Sequence, residues 1–333
     1  MMRIQFETMC RVLERVLESR NMHKRDAELC ARLIAETSLE GVYTHGANRF
    51  ASLIKGIDEK RIDVHAHAQK SDSFASLERW DGNKGVGNLN AHTSMKRAIE
   101  LAKEHTIGCV ALKNTNHWMR PGTYGLMAAE QDCIAILWTN TMPLMSPWGG
   151  VETKVGNNPL VLAIPSEEGP VLVDMAMSLF SYGKLETYTR ESRDLPVHGG
   201  WDENGELTTN AQAILKSKRS LPIGFWKGTS LALALDLIAA TLSGGRTTRS
   251  IGSLSEEGEV SQVFLVFNLS AFPDREQLLK EIQATLDDLK STTALDDEKP
   301  VHYPGQFRER TRRENLEKGI PIDEAVWKEI LSL

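Results

Sequence analysis

The sequence predicts an α/β (α+β) protein, a mixed β-sheet body flanked by helices, with a helical domain built from the N- and C-terminal segments. Three observations carry this. Apolar residues recur at helical spacing from Phe6 to about Leu39. Between about Phe74 and Leu269, short β-rich runs interleave with helical stretches. Helical periodicity returns from Asp274 onward. With 333 residues the chain exceeds the size at which one core stops growing, so two packed subdomains are expected. The boundaries read as an N-terminal helical segment 1–72, a sheet body 73–270 and a C-terminal helical segment 271–333, with no long linker between them.

Val12, Leu13, Val16 and Leu17, then Ala27, Cys30, Leu33 and Ile34, mark two amphipathic helices and hence a helical hairpin. A third helix is expected from about Thr44, with Phe50, Leu53 and Ile54 on one face. It would make neighbours of His45 and Arg49, four residues apart. Residues 108–112, 134–139, 160–164, 171–175 and 263–267 read as strands, and 91–103 as a helix. These strands do not alternate with helices of similar length, so a mixed sheet is expected rather than a doubly wound parallel one. Gly and Pro punctuate 143–156 and 196–205, which read as loops presented by a scaffold, and polar 247–259 reads as an exposed loop.

A formal net charge of −6 offers no overall attraction to nucleic acid or to anionic membrane. No apolar run approaches the roughly 20 residues of a membrane span, and the N-terminus lacks a signal-peptide core, so a cytoplasmic protein is expected. Cys10, Cys30, Cys109 and Cys133 are far apart, with no CxxC pair, and read as reduced structural thiols without a metal.

The usual phosphate-cradling motifs fail. Gly85-Val86-Gly87-Asn88-Leu89-Asn90 lacks the third glycine of a dinucleotide fingerprint, and the segment from Gly224 to Ser230 has Lys-Gly-Thr where a P-loop needs Gly-Lys-Ser/Thr. Neither a GxSxG elbow nor an HExxH pair is present.

Four polar clusters remain. Thr44-His45-Gly46-Ala47-Asn48-Arg49 joins an imidazole suited to proton transfer near neutral pH to a guanidinium that matches a carboxylate. Spacing alone leaves open whether the pair merely solvates a helix. Asn116-His117 follows a strand, where open sheets place ligands, though His117 reads equally as a satisfied loop histidine. Thr139-Asn140-Thr141 and Gly156-Asn157-Asn158-Pro159 make a third cluster. The fourth ends a strand in Asp174, an acceptor for a ribose diol or a helix cap.

In this order, and with Lys227-Gly228 and Pro304-Gly305, the clusters resemble the malate/L-lactate dehydrogenase family unrelated to Rossmann enzymes, over nearly the whole chain. Within that family His117-Trp118-Met119-Arg120, Ser146-Pro147-Trp148-Gly149 and Phe225-Trp226-Lys227-Gly228 are similar to the 2,3-diketo-L-gulonate reductase branch. The resemblance implies a homodimer with a non-Rossmann nucleotide-binding sheet, acting on a small sugar acid with NADH or NADPH, NADH favoured. It implies His45 as proton donor with His117 its rival, and Arg49 and Asn116 as substrate contacts. Cofactor contacts are implied at Thr141, Pro170, Val171, Leu172, Val173, Asp174, Met175, Ala176, Trp226, Lys227, Gly305, Gln306 and Phe307. Malate, ureidoglycolate or a cyclic imino acid is the alternative substrate, and a non-catalytic sugar-acid binding protein the remote alternative.

Overall fold

The computed structural model describes residues 2–296 and 300–333. The chain opens with β1 (Met2–Ile4), α1 (Phe6–Glu18) and α2 (Lys24–Leu39). Met9, Leu13, Val16 and Leu17 of α1 face Ala27, Cys30 and Ile34 of α2, all buried, which is the expected helical hairpin. The next helix, α3 (Phe50–Asp58), starts later than its periodicity suggests. Gly46, with φ −102° and ψ −129°, leaves helical geometry, and it lies so close to α2 that a Cβ there would stand 2.1 Å from Ser38 Oγ. Two single 3₁₀ turns, Tyr43–His45 and Ala47–Arg49, take the place of the expected helical start. His45 and Arg49 therefore do not share a helical face; the loop, not the i, i+4 rule, brings them together.

The body continues with β2 (Gln69–Phe74), β3 (Leu77–Asp81), α4 (Gly87–His105), β4 (Ile107–Thr115), α5 (Gly122–Ala129), β5 (Cys133–Thr139), β6 (Leu160–Ile164) and β7 (Val171–Met175). A small module follows, comprising α6 (Tyr182–Arg190), β8 (Gly200–Trp201), β9 (Leu207–Thr208), α7 (Ala211–Ser217) and β10 (Arg219–Ser220), around its own core of Leu185, Leu195, Ala211 and Ile214. Its two-residue strands are too short for periodicity to reveal. Then come α8 (Trp226–Ser243), α9 (Thr248–Ile251) and β11 (Val260–Asn268), and the chain closes with α10 (Arg275–Ser291), α11 (Arg308–Lys318), β12 (Ile320–Ile322) and α12 (Glu324–Ser332).

Among the described residues the main sheet has seven strands in the order β2-β3-β4-β11-β5-β6-β7. β3 and β4 run parallel and every other neighbouring pair antiparallel, so the sheet is mixed as expected. β11, from late in the chain, lies between β4 and β5. Val110 and Leu112 of β4 pack beneath α4 and α5, while Cys109 and Ala111 pack beneath α8. Leu137 against Trp138, and Phe264 against Val263, divide the same way. Helices cover both faces, which is why these strands are apolar at consecutive positions instead of alternating.

The chain ends meet. β1 pairs antiparallel with β12, and Ile320, Ile322, Trp327 and Ile330 share one core with Phe6, Leu13, Ile34 and Phe50, forming the expected helical domain of N- and C-terminal parts. The expected exposed loop 247–259 is corrected: it contains α9, and Thr248 and Ile251 are buried because Thr248 N donates to Asp236 Oδ1 inside α8. No helix among the described residues is long and apolar enough to cross a membrane.

Candidate active site

The loop between α2 and α3 presents His45, and the loop leaving β4 presents His117. Their rings stack with centroids 5.8 Å apart and planes 18° from parallel. Met119 N donates to His117 Nδ1 at 3.1 Å, whereas His45 Nδ1 lies 3.2 Å from the Thr44 hydroxyl. The His117 loop is bounded by two non-glycine residues with positive φ, Asn114 (54°) and Met119 (62°), a conformation that costs about 1–3 kcal/mol each and clusters at functional sites. Trp118, buried against Tyr124 and Phe264, holds the loop from below, and its carbonyl accepts from Tyr124 OH at 2.6 Å.

Arg49 is the cation shared by both rings. No hydrogen bond or ion pair among the described residues engages its guanidinium. Burial first, then the charges of Arg49 and Arg120, push the His45 imidazole down to about 4. Burial, Arg49 and His45 push His117 well below its ordinary value. At neutral pH both rings are therefore largely uncharged, and the Arg49 charge is not taken up by any described side chain.

Arg120 is already paired. It donates to Glu40 Oε2 at 2.5 Å, and Glu40 Oε1 lies 3.1 Å from Arg308, a nearly buried triad joining the His117 loop to α2 and α11. Glu40→Gln leaves a buried guanidinium uncompensated and should cost about 3–5 kcal/mol of unfolding free energy. Urea denaturation reads this directly; a loss below about 1 kcal/mol would assign the triad only the worth of a surface pair.

Asn116 directly precedes His117, but its amide nitrogen turns to the backbone. Its Nδ2 donates to Lys84 O and Gly85 O, both at 2.9 Å, so its two donors are spent on holding the loop. The Gly85-Val86-Gly87 stretch leads α4 in against the carbonyls of Asn116 and His117, each 2.3 Å from a Cβ added at Gly87. Thr141 is also drawn inward, its hydroxyl 3.0–3.3 Å from Met142 O, Asn157 Oδ1 and Asn158 Oδ1.

The remaining expected contacts gather along β7. Leu172 N donates to Pro304 O at 2.9 Å, and Gly305, at φ 94°, lies so close that a Cβ would meet Pro170 O at 2.9 Å. Gln306 and Phe307 continue from there, with Arg310 over the Phe307 ring. Beyond the other end of β7 and Ala176, Ile223 N donates to Met177 O, which sets Trp226 and Lys227 at the start of α8 near that end. Asp174 Oδ2 accepts from Gly122 N at 2.9 Å. The β7 edge is thereby tied to the segment that carries His117, and Gly183 of α6 abuts Thr44 beside His45.

The sequence model of malate/L-lactate dehydrogenase matches residues 4–331. The chain belongs to the malate/L-lactate dehydrogenase family. As a member it is an oxidoreductase that works with a pyridine nucleotide. It is 42% identical, over the whole of both chains, to the 2,3-diketo-L-gulonate reductases of Salmonella heidelberg (strain SL476) and Salmonella newport (strain SL254). Among solved structures it is similar to malate dehydrogenase from Pyrococcus horikoshii OT3, with 30% identity, a TM-score of 0.89 and coverage of 98% of this chain and 93% of that one. Sulfolactate dehydrogenase from Methanocaldococcus jannaschii superposes with a TM-score of 0.90 at 26% identity, over 99% of this chain and 95% of that one.

The residues of this family member suit a pyridine nucleotide. Trp226 is 61% exposed beside an exposed Phe225–Trp148 pair, whose centroids are 4.9 Å apart, so ring faces are available for stacking. Phe225 holds φ 59° at the entrance to α8, a strained setting for a non-glycine residue. Asp174 is open to solvent yet walled by protein, as on the flank of a cleft. These walls push its carboxyl above the ordinary value, while Arg120 and Gly122 N act in the opposite direction. Its second oxygen is available to a ribose hydroxyl.

Glu257 and Glu40 lie beside the candidate site without having been singled out in the sequence, whereas Thr44 was named with its segment but given no role. Glu257 lies in the polar stretch read as an exposed loop, and Glu40 follows a helix end where a solvated acid is ordinary. Only Thr44, adjacent to His45, carried any signal.

Proposed function

We propose that the protein reduces 2,3-diketo-L-gulonate at C2 to 3-dehydro-L-gulonate, with NADH as reductant. The observation that supports this most is the stacked His45–His117 pair beside a guanidinium with no partner among the described residues. Relatives 42% identical over the full length carry that activity in their names. A bound nicotinamide supplies the hydride. Arg49 takes the substrate carboxylate through a two-pronged, charge-assisted contact and so fixes C2 before the histidines. His45 passes a proton to the forming alkoxide and is reprotonated from solvent.

The hydrogen bonds divide the labour between the rings. A backbone N–H is a fixed donor, so His117 Nδ1 must accept and its proton sits on Nε2. An imidazolium there would turn two N–H groups against each other, so His117 acts as a neutral donor that orients the carbonyl oxygen. The Thr44 hydroxyl rotates and serves either as donor to neutral His45 or as acceptor from its charged form, which allows that ring to change charge. The accessible Asp174 carboxylate favours the ribose diol of NADH and would repel a 2′-phosphate.

Steady-state kinetics with 2,3-diketo-L-gulonate and each nucleotide tests the reading. Turnover with NADH is expected. Failure with both nucleotides, alongside reduction of another 2-oxo acid, would reject this substrate. The four free cysteines suit a reducing compartment such as the cytoplasm. Exposed Leu233, Leu237 and Ile238 on α8 supply an apolar face for the homodimer. Light scattering should give twice the chain mass, and a monomer at micromolar concentration would remove the dimer from the reading.

A further inference from the structure

Glu257 is a carboxyl beside the same pocket to which the mechanism above gives no task; burial raises its pKa above the ordinary carboxylate range, while Arg49 and the Met142 N–H act in the opposite direction. Its Oε2 accepts from Met142 N at 3.2 Å, while Oε1 has no hydrogen-bond partner among the described residues. It is partly open to solvent but walled by protein, and the cation it feels is Arg49, with which it forms no ion pair. The segment that carries it runs alongside the His117 loop. A Cβ at Gly258 would stand 3.4 Å from Asn116 Oδ1, Gln262 Nε2 donates to Asn116 O at 3.2 Å, and Val260 pairs with Thr115. Glu257 thus lies on a segment packed beside the His117 loop, within electrostatic reach of Arg49.

The charges beside the histidines are few. Arg120 is held in an ion pair by Glu40, and burial with the neighbouring arginine charges keeps both histidines below their ordinary pKa. Arg49 can balance one carboxylate. A second carboxylate on the substrate would meet Glu257, whereas a hydroxyl would find an acceptor in its unpartnered Oε1. Like charges brought together across an interface cost several kcal/mol, and excluding a competitor in this way is as effective as improving contacts to the preferred ligand.

We propose that Glu257 determines substrate selectivity, admitting 2-oxo monoacids with hydroxyl-bearing tails and rejecting 2-oxo diacids. This rests on the reading of His45 and Arg49 as the reacting site and names a residue that acts on the substrate's far end. The test compares wild type, Glu257→Gln and Glu257→Asp on 2,3-diketo-L-gulonate and on oxaloacetate with the same nucleotide. Glu257→Gln should raise the ratio of kcat/KM for oxaloacetate over 2,3-diketo-L-gulonate by about 10- to 100-fold, and Glu257→Asp, which keeps the charge, should stay near wild type. A ratio within about threefold of wild type in the Gln variant, including an equal loss on both substrates, overturns the proposal and leaves Glu257 a loop-holding residue. Should the Gln variant not fold, the wild-type protein still decides: lactate should inhibit at least about 10-fold more tightly than malate, and equal or reversed affinities overturn the proposal. If wild type fails to reduce 2,3-diketo-L-gulonate, the substrate reading falls, and the oxaloacetate to pyruvate ratio in the same variants still tests Glu257.

Discussion

His45→Asn should lower kcat for 2-oxo acid reduction by about 10²- to 10⁴-fold, the ordinary worth of a positioned general acid. Asparagine keeps a polar group of similar reach but cannot carry the proton. The pH profile gives the loss its signature. In the free protein burial, Arg49 and Arg120 hold the imidazole down at about 4, so only a small fraction is charged at neutral pH. Reduction needs the charged form, and kcat/KM should therefore climb as pH falls from 8 toward 5. Oxidation of the hydroxy acid needs the neutral form and should stay level over that range. A carboxylate bound to Arg49 cancels one of the causes of the depression, so kcat should persist to higher pH than kcat/KM. The Asn variant should lose the slope along with the rate. Turnover equal to wild type would remove His45 from the mechanism. Loss of the slope in His117→Asn instead would assign the proton to the other ring. The same depression bears on the fold. The unfolded chain binds this proton near the ordinary 6.5, so the stability contributed by neutral His45 is present above that value and declines as pH falls through it toward about 4.

Arg49→Met should lower kcat/KM for the 2-oxo acid by about 10²- to 10³-fold, mostly through KM, because it deletes a cation that acts on both histidines and has no ion pair among the described residues. Methionine preserves much of the apolar stem, so the loss measures the charge-assisted contact rather than packing. A second consequence separates this role from a structural one. Without Arg49, one of the causes that lowers the His45 pKa disappears, and the residual reduction activity should extend to higher pH. An unchanged KM would mean that the carboxylate is held elsewhere, and an unchanged pH profile would mean that Arg49 does not stand beside His45 in the working site.

Much of this architecture was readable in the residues. Hydrophobic period located the α1–α2 hairpin, since each helix buries a face set by its own repeat, and short β-rich runs located all of β6 and β7. Runs of consecutive apolar residues located β4, β5 and β11 but could not order them, because pairing in a sheet depends on partners distant in sequence. The start of α3 was misread because Gly46 answers to Ser38 on another helix, not to its own neighbours.

For the site, the residue types in the Thr44–Arg49 and Asn116–Arg120 segments marked proton transfer and carboxylate binding, chemistry that belongs to the side chains themselves. The residue types by themselves left open whether these segments do chemistry, and the ordered resemblance to the dehydrogenase family pointed to 2-oxo acid reduction and to these two loops. Only the tertiary structure set the two imidazoles 5.8 Å apart, paired Arg120 with Glu40 while leaving Arg49 open, and turned Asn116 toward the backbone of Lys84 and Gly85. It alone opposed a rotatable hydroxyl to one histidine and a fixed N–H to the other, and brought Glu257 to the pocket from a stretch that looks like solvent-exposed loop. The physical reason is common to all of these. A side chain's chemistry is local, but its protonation state, its partners and its freedom to meet a substrate are decided by groups that the fold brings to it.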